Sequence, residues 1–301
     1  MALVPVSFTS QSFTSRSFKS PSFTSRLLKA LAVFPVLASF MGGTATDTQA
    51  AEPWPGQVQA VYRVEFNGFD IGSFEFNSSV NGASYTLTGD AKISALLGAF
   101  QWQARTRSAG TIATDAPKPA GYTFDFNGTG KSGSLKMGFA GDSVTSLVQV
   151  PPAFPASGSV AVREPHLRGV LDPLSAVMAL SRSDNANPCE RRLAVFDGRQ
   201  RFDLLLSFRR QERISDSRPS GQPGVAYVCK VRYVPIAGHR ASEETRAMAA
   251  SNEIEISLRP VPSANLFVPH EITIPTGAGT ARLIAQSVRI ATQSEQIALG
   301  H

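Results

Sequence analysis

"VYRVEFNGFDIGSFEF", residues 61–76, determines the architecture expected for this chain. In its first half, aromatic and aliphatic residues alternate with charged residues, which is typical of a strand with one buried and one solvated face. Asn67-Gly68 follows, a dipeptide that tolerates the positive φ angles of a two-residue hairpin turn. Phe74 and Phe76 then repeat the alternation. The stretch therefore predicts an antiparallel β-hairpin.

The same period of two continues through most of the chain. Residues 59–150 contain further alternating runs separated by turn residues, which predicts a β-meander. After a proline-rich connection, alternating runs resume at residues 191–208, 226–238, 253–260, 267–275 and 281–290, and the last residues are expected to fray. The sequence predicts an all-β fold: a single strongly curved antiparallel sheet or open barrel with one or two short helices packed on it.

The strongest helical pattern is "LDPLSAVMALSR", residues 171–182. Asp172 suits the N-cap, Pro173 suits the first helical position, and the apolar residues that follow form one face. We expect this face to pack against the concave side or open end of the sheet. Residues 241–253 predict a second short helix or a mobile loop.

The concave face of such a sheet would be rich in aromatic side chains. If the interior is incompletely filled, it would accept an acyl chain or a hydrophobic peptide, whereas a fully packed core would bind no ligand. The candidate lining residues are Phe74, Phe76, Tyr85, Leu87, Phe124, Phe126, Leu174, Met178 and Ile254.

The two cysteines, Cys189 and Cys229, are expected to form a disulfide. Closing a loop of this length is worth about 4 kcal/mol in the chain-entropy model. The alternative is a reactive thiol, since the two arginines after Cys189 would lower its pKa. Four scattered histidines have no ligand spacing, so no metal site is predicted.

Residues 1–50 have the features of a targeting segment. A basic, serine- and phenylalanine-rich repeat precedes the apolar residues 27–43, and small residues lead to Ala50. The apolar run is shorter than the ~20 residues that a membrane helix needs. We therefore expect a cleaved signal segment near Ala50, a single all-β exported domain over residues 51–301, a periplasmic location and no transmembrane anchor in the mature chain.

The charge argues against nucleic acid as a partner. The chain carries a formal charge of +6, but residues 1–50 contain four basic and one acidic side chain, which leaves 25 basic and 22 acidic side chains and a charge of +3. A weakly basic domain without clustered basic and aromatic residues lacks the electrostatic footprint of nucleic-acid binding.

No catalytic motif is complete. "NGTGKSGS", residues 127–134, lacks the first glycine of a phosphate-binding loop, and no G-x-S-x-G is present. No catalytic residue and no cofactor are predicted. Two alternatives to a non-enzymatic protein stay open: an envelope hydrolase that uses His239 or His270, and a protein-protein interaction module that docks partners by an exposed strand edge.

The chain resembles an exported bacterial family known as domain-of-unknown-function family number 3108. The resemblance rests on "VYRVEFNGFDIGSFEF", "LDPLSA", "CERRLAVFDGRQRFDL", "CKVRYVPIAGHR" and "VPHEITIPTGAGTARL", in that order. It implies a periplasmic all-β protein and assigns no functional residue. The chain also has a looser architectural likeness to lipoprotein carriers. This likeness favours a non-enzymatic protein of the cell envelope that either binds a hydrophobic ligand or acts as a scaffold. The possible ligands are a lipid or a hydrophobic peptide, and the possible partners are envelope proteins.

Overall fold

The computed structural model describes residues 53–152, 158–182, 187–214 and 224–300. The expected signal segment, residues 1–50, lies outside the described residues. Within them, fourteen strands form one antiparallel sheet. The strands are β1 (Gln57–Phe66), β2 (Phe69–Asn81), β3 (Ser84–Ala95), β4 (Phe100–Ala113), β5 (Ala116–Gly128), β6 (Lys131–Ala140), β7 (Ser143–Val150), β8 (Arg191–Phe196), β9 (Arg201–Arg213), β10 (Val225–Ala237), β11 (Glu255–Val261), β12 (Leu266–Thr276), β13 (Gly279–Ala291) and β14 (Gln296–Gly300).

Two helices accompany the sheet: α1 (Pro173–Leu180) and α2 (Glu243–Ala250). The all-β prediction is confirmed, because the described residues form one antiparallel sheet that is not closed, with two short helices. No helix in the described part of the chain is long and apolar enough to cross a membrane.

Strand β1 lies at the centre of the sheet. On one side the chain runs outward as a meander from β1 to β7, and on the other side β13 to β8 follow in reverse order, with β14 added to β13. The two ends of the sheet, β7 and β8, are therefore consecutive along the chain, and α1 lies in the connection between them.

Residues 168–171 of that connection bridge the two ends of the sheet. The Gly169 amide donates to the carbonyl oxygen of Asp142 at 2.8 Å, and the Leu171 amide donates to that of Ala194 at 2.8 Å. The Phe196 amide donates a hydrogen bond to the carbonyl oxygen of Leu171 at 2.9 Å. A few backbone hydrogen bonds thus link the two ends of the open sheet, and β7 and β8 do not pair with each other as strands.

The hairpin predicted from residues 61–76 is present as β1 and β2. Asn67 and Gly68 have φ angles of 50° and 82°, as a tight turn with two positive φ angles requires. The expectation that the last residues fray was wrong for 296–300, because they pair with β13 as β14.

Helix α1 begins where the sequence predicted it. Asp172 is the N-cap and Pro173 is the first helical residue. One apolar core cluster joins α1 to the inner faces of β1–β6, β12 and β13, and a second joins it to β8–β11. At its other end, the carbonyl oxygen of Ser181 accepts a hydrogen bond from the Phe267 amide at 2.8 Å, which ties the helix to β12.

The predicted disulfide is confirmed. Cys189 and Cys229 are bonded with a Cα–Cα distance of 5.2 Å, and both side chains are fully buried. The bridge connects the segment after α1 to β10, so it fixes the exit of the helix against the sheet.

Candidate functional site

A buried polar cluster holds the N-terminus of α1 against β3 and β4. Asp172 Oδ1 accepts hydrogen bonds from the amides of Leu174 and Ser175, both at 3.0 Å. Asp172 Oδ2 accepts from the Ser175 hydroxyl at 2.5 Å and from the Ser108 hydroxyl at 2.9 Å. The Tyr85 hydroxyl lies 2.8 Å from that of Ser175. One carboxyl and three hydroxyls therefore satisfy one another.

Burial raises the pKa of Asp172 above its ordinary value, and the hydrogen bonds from Ser175, Ser108 and Leu174 oppose this shift. Burial also raises the pKa of Tyr85 to about 12. Since Asp172, Ser108 and Ser175 are all without solvent exposure, no substrate reaches their oxygen atoms in this conformation. The cluster therefore positions the helix.

An apolar cleft lies beside the middle of α1, between the helix and strands β1, β2 and β12. Its volume is about 40 Å³. A drug-sized ligand pocket has a volume of roughly 300–1,000 Å³, so the cleft in this conformation is a narrow opening. Its lining is Trp54, Pro55, Val58, Ala60, Tyr62, Phe76, Ser78, Val177, Met178, Ser181, Leu266, Val268 and Pro269.

The N-terminal strap, residues 53–56, covers the cleft and is held by a latch of three side chains. Trp54 Nε1 donates to Asp115 Oδ1 at 2.8 Å, and the Arg182 guanidinium lies 4.5 Å from the centre of the Trp54 ring. Arg182 also forms an ion pair with Asp115 and donates to the carbonyl oxygen of Pro53 at 3.1 Å. The Arg182 side chain is 4% exposed and that of Asp115 is 28% exposed, so the ion pair is buried on the arginine side and partly open to water on the carboxylate side.

Local sequence explains how the latch is positioned. Thr114 and Asp115 form the two-residue turn between β4 and β5, with φ angles of 50° and 62°. Arg182 follows the C-cap of α1, and Trp54 lies three residues before β1. The latch thus joins the end of the helix, a hairpin turn and the start of the sheet.

A larger polar cleft of about 330 Å³ lies next to the latch, on the side opposite the apolar cleft. Arg182, Arg191 and Arg192 line it together with Asp115. Arg191 donates to the carbonyl oxygen of Ala179 near the end of α1, and Arg192 forms an ion pair with Asp203 at 2.6 Å. Three arginines and one aspartate, Asp115, thus contribute to the lining of this cleft.

The predicted lining residues occupy different places. Phe76 and Met178 line the apolar cleft. Tyr85, Leu87 and Leu174 are packed in the same core cluster, and Phe74 and Phe124 are half-buried against it. Phe126 stacks on Phe124 at a centroid distance of 5.7 Å, nearer the end of the strand, and Ile254 belongs to the second cluster, around the disulfide.

Sequence reasoning missed the latch. Trp54, Asp115 and Arg182 are separated by 61 and 67 positions and form no local motif. The one available indication was the tryptophan directly before the first strand.

Of the two histidines of the hydrolase alternative, His239 does not line either cleft described above, whereas His270 follows Pro269, which lines the apolar cleft. His239 is buried, and its Nδ1 atom has no hydrogen-bond partner. His270 lines a cleft of about 10 Å³ with Arg259, Gln286 and Ser287. No group of three or more metal-ligating side chains is found in the described ranges. The hydrolase hypothesis stays a prediction.

Comparison with known proteins places the chain in a family. The family model described as "Protein of unknown function (DUF3108)" matches residues 61–284, which is more than half of the chain and includes most of β1, α1, both cysteines and the first six residues of β13. No curated protein and no solved structure gives a match. The chain belongs to the DUF3108 family of proteins of unknown function.

Proposed function

We propose that this protein is a non-enzymatic, exported protein of the bacterial cell envelope that holds the hydrocarbon chain of an amphiphile between α1 and the sheet. The observation that carries the proposal is the apolar cleft beside α1, closed by a strap that Trp54 fastens to Asp115 and Arg182. A core that only had to be stable would need no separate covering segment at this point.

The cleft becomes a chain-sized pocket if the strap moves away. Trp54 and Pro55 form part of its wall, and neither belongs to a strand or helix. The wall below them consists of core side chains such as Tyr62, Phe76 and Met178, which would contact hydrocarbon. The 40 Å³ opening is then the closed state of the pocket.

The arginine-lined cleft supports an anionic headgroup for this amphiphile. A carboxylate or phosphate that enters it would compete with Asp115 for Arg182 and would find Arg191 and Arg192 nearby. Because Arg182 also contacts the Trp54 ring and donates to the carbonyl oxygen of Pro53, such competition would weaken the latch and release the strap. Headgroup binding and opening of the pocket are coupled in this proposal.

The proposed location is the periplasm. The signal-like composition of residues 1–50 supports export. The buried Cys189–Cys229 disulfide is weaker support, since such bonds persist in oxidising compartments.

Native mass spectrometry of the protein isolated gently from its host tests the proposal. We expect extra mass that denaturation releases and that fragments as a lipid. Ser78→Leu, on the cleft-lining face of β2, should abolish the extra mass, whereas Ser79→Leu, on the exposed face one residue away, should leave it unchanged. A bare chain mass, together with no binding of added palmitate or phosphatidylglycerol, would contradict the proposal.

A second candidate is the interaction module, and the edge strand β7 favours it. Leu147, Val148 and Val150 are exposed on this strand, which pairs with β6 along one side and is bridged on the other side at Ser143 by Arg168, away from these residues. An apolar strand edge is a template for pairing with another chain. Leu147→Lys should abolish a complex formed at this edge, because the added charge blocks strand addition. Cross-linking in intact cells would detect the loss of the complex.

A further inference from the structure

The turn between β3 and β4 presents two leucines in a backbone conformation that leucine rarely adopts. Leu96 and Leu97 have φ angles of 52° and 55°. Leu96 is 80% exposed, and Leu97 is fully exposed. The left-handed region is unfavourable for residues with a Cβ atom, and unusual backbone of this kind is concentrated at functional sites. The chain therefore holds two apolar side chains outward at a local cost in free energy.

Further apolar side chains lie around these leucines. Phe100 begins β4 and is 44% exposed, and Phe69, at the start of β2, is 75% exposed. The β1–β2 turn lies at the same end of the sheet, because Gly72 pairs with Ile93. Below the leucines, Ile93 is the direct cross-strand partner of Trp102, and both are half-buried. The apolar surface thus continues from the tip down the inner face.

Basic side chains outnumber acidic ones near this tip. Residues 91–104 contain one charged side chain, Lys92, and residues 126–135, which include the adjacent β5–β6 turn, contain one, Lys131. Both lysines are exposed. Asp90 pairs with Arg105 at 2.8 Å, whereas Asp70, next to Phe69, is exposed and accepts a hydrogen bond from the Gly72 amide at 3.0 Å, which leaves its charge in place. An anionic surface would meet two lysines and one aspartate here.

We propose that the β3–β4 tip, residues 95–100, docks on an anionic lipid surface, with Leu96 and Leu97 at the boundary between headgroups and acyl chains and with Lys92 and Lys131 at the headgroup phosphates. The shape favours lipid over a protein groove, because the leucines occupy a protruding turn and Leu97 is fully exposed within the described part of the chain. Apolar side chains flanked by lysines are the pattern of interfacial membrane binding. This inference is independent of the cleft beside α1.

A fluorophore at the tip tests the docking directly. Both native cysteines are in the disulfide, so Ala99→Cys provides a single thiol at an exposed position with an ordinary φ of −65°. Labelled with nitrobenzoxadiazole and mixed with phosphatidylcholine vesicles that contain phosphatidylglycerol, this variant should show increased emission, and a nitroxide-bearing lipid should quench it. Ser207→Cys, seven strands away along the sheet, is the matched control and should show neither effect. Equal responses at the two positions would overturn the proposal.

A second variant separates docking from folding. Leu96→Asn/Leu97→Asn removes the apolar side chains, and asparagine tolerates left-handed backbone, so its thermal unfolding temperature should equal or exceed that of the parent. Its partitioning into the same vesicles should fall about tenfold or more. Phe208→Ser, which removes an exposed apolar side chain elsewhere, should bind like the parent. Undiminished vesicle binding by the asparagine variant would overturn the proposal. The proposal would also be overturned if the parent protein forms a dimer that this variant does not form, and the tip would then be assigned to contact with a second copy of the chain.

Discussion

The Arg182 guanidinium lies 4.5 Å from the centre of the Trp54 ring, and both side chains bind the carboxylate of Asp115. This arrangement fastens residues 53–56 over the apolar cleft. When the strap moves, Trp54 loses its hydrogen bond to the Asp115 carboxylate and its contact with the Arg182 guanidinium together, whereas the Arg182–Asp115 ion pair joins α1 to the β4–β5 turn and stays in place. The strap is therefore expected to have a closed and an open state with few intermediates.

Arg182→Met should release Trp54. Methionine keeps much of the side-chain volume but has neither the charge for Asp115 nor the donor for the Pro53 carbonyl oxygen. In a Trp102→Phe background, Trp54 is the only tryptophan of the chain, so its emission should shift to longer wavelength and become more accessible to acrylamide. Arg107→Met, at an exposed position on β4, controls for loss of an arginine. An unchanged Trp54 spectrum in Arg182→Met would show that the latch does not hold the strap.

Replacement of Asp172 should separate its capping role from its charge. Asp172→Asn keeps an oxygen that accepts from the Leu174 and Ser175 amides and gains a donor toward the hydroxyls, so its free energy of unfolding should lie within about 1 kcal/mol of the parent near neutral pH. Asp172→Ala loses the cap and leaves buried hydroxyls unsatisfied, which should cost about 2–4 kcal/mol. Urea unfolding measures both differences, and equal destabilisation by the two changes would contradict the capping assignment.

The charge of Asp172 should make stability dependent on pH. Because burial raises its pKa in the folded state, the stabilising contribution is complete below the ordinary pKa of about 4 and is lost as pH rises through the folded value. The parent should therefore lose stability relative to Asp172→Asn over that interval. Asp197, whose pKa burial also raises, is present in both proteins and cancels in the comparison. A difference that is independent of pH from 3 to 8 would contradict this prediction.

Gly198→Ala tests the contact between the two ends of the sheet. Gly198, in the β8–β9 turn, has a φ of 93°, and an added Cβ would lie 2.2 Å from Cδ1 of the buried Leu135 on β6. Backbone strain and overpacking together should cost about 2–4 kcal/mol. Gly141→Ala is the matched control, since its φ is 62° but no atom lies within 4 Å of the added Cβ.

A double-mutant cycle isolates the contact itself. In a Leu135→Ala background, Gly198→Ala should cost no more than Gly141→Ala, because the clash is gone. Calorimetric or urea unfolding of the four proteins provides the coupling free energy. Additive effects of Gly198→Ala and Leu135→Ala would mean that the β8–β9 turn does not press on β6 in solution.

Much of the fold could be predicted from local patterns. The alternation in residues 61–76, the Asn67-Gly68 turn and the Asp172-Pro173 helix start each depend on a few adjacent residues, and each is found in the structure. The order of strands could not be predicted in this way. That β1 pairs with β13, and that residues 168–171 bridge β7 and β8, depends on pairings between distant residues, for which alternation provides no register.

The candidate site was less predictable for the same reason. Strand alternation predicted that Phe76 faces the interior, the apolar face of the helix predicted the same for Met178, and both line the cleft. It could not distinguish them from Leu87, which points inward as well but is packed without space beside it. Residual space depends on the sum of many side-chain volumes, and the latch depends on three residues brought together by tertiary folding.

The Cys189–Cys229 disulfide should contribute to the stability of the fold and to the placement of α1. Replacement of both cysteines by serine removes the constraint on a 40-residue loop of the unfolded chain and should lower the free energy of unfolding by about 2–4 kcal/mol. Serine hydroxyls at these fully buried positions add a desolvation cost, so Cys189→Ala/Cys229→Ala is the better measure of the bond itself. Because the bridge fixes the segment that follows α1, hydrogen exchange should increase in α1 and β8 more than in β2–β4, which lie on the other side of the sheet. A uniform increase in exchange along the chain would show that the disulfide stabilises the protein globally and does not hold the helix.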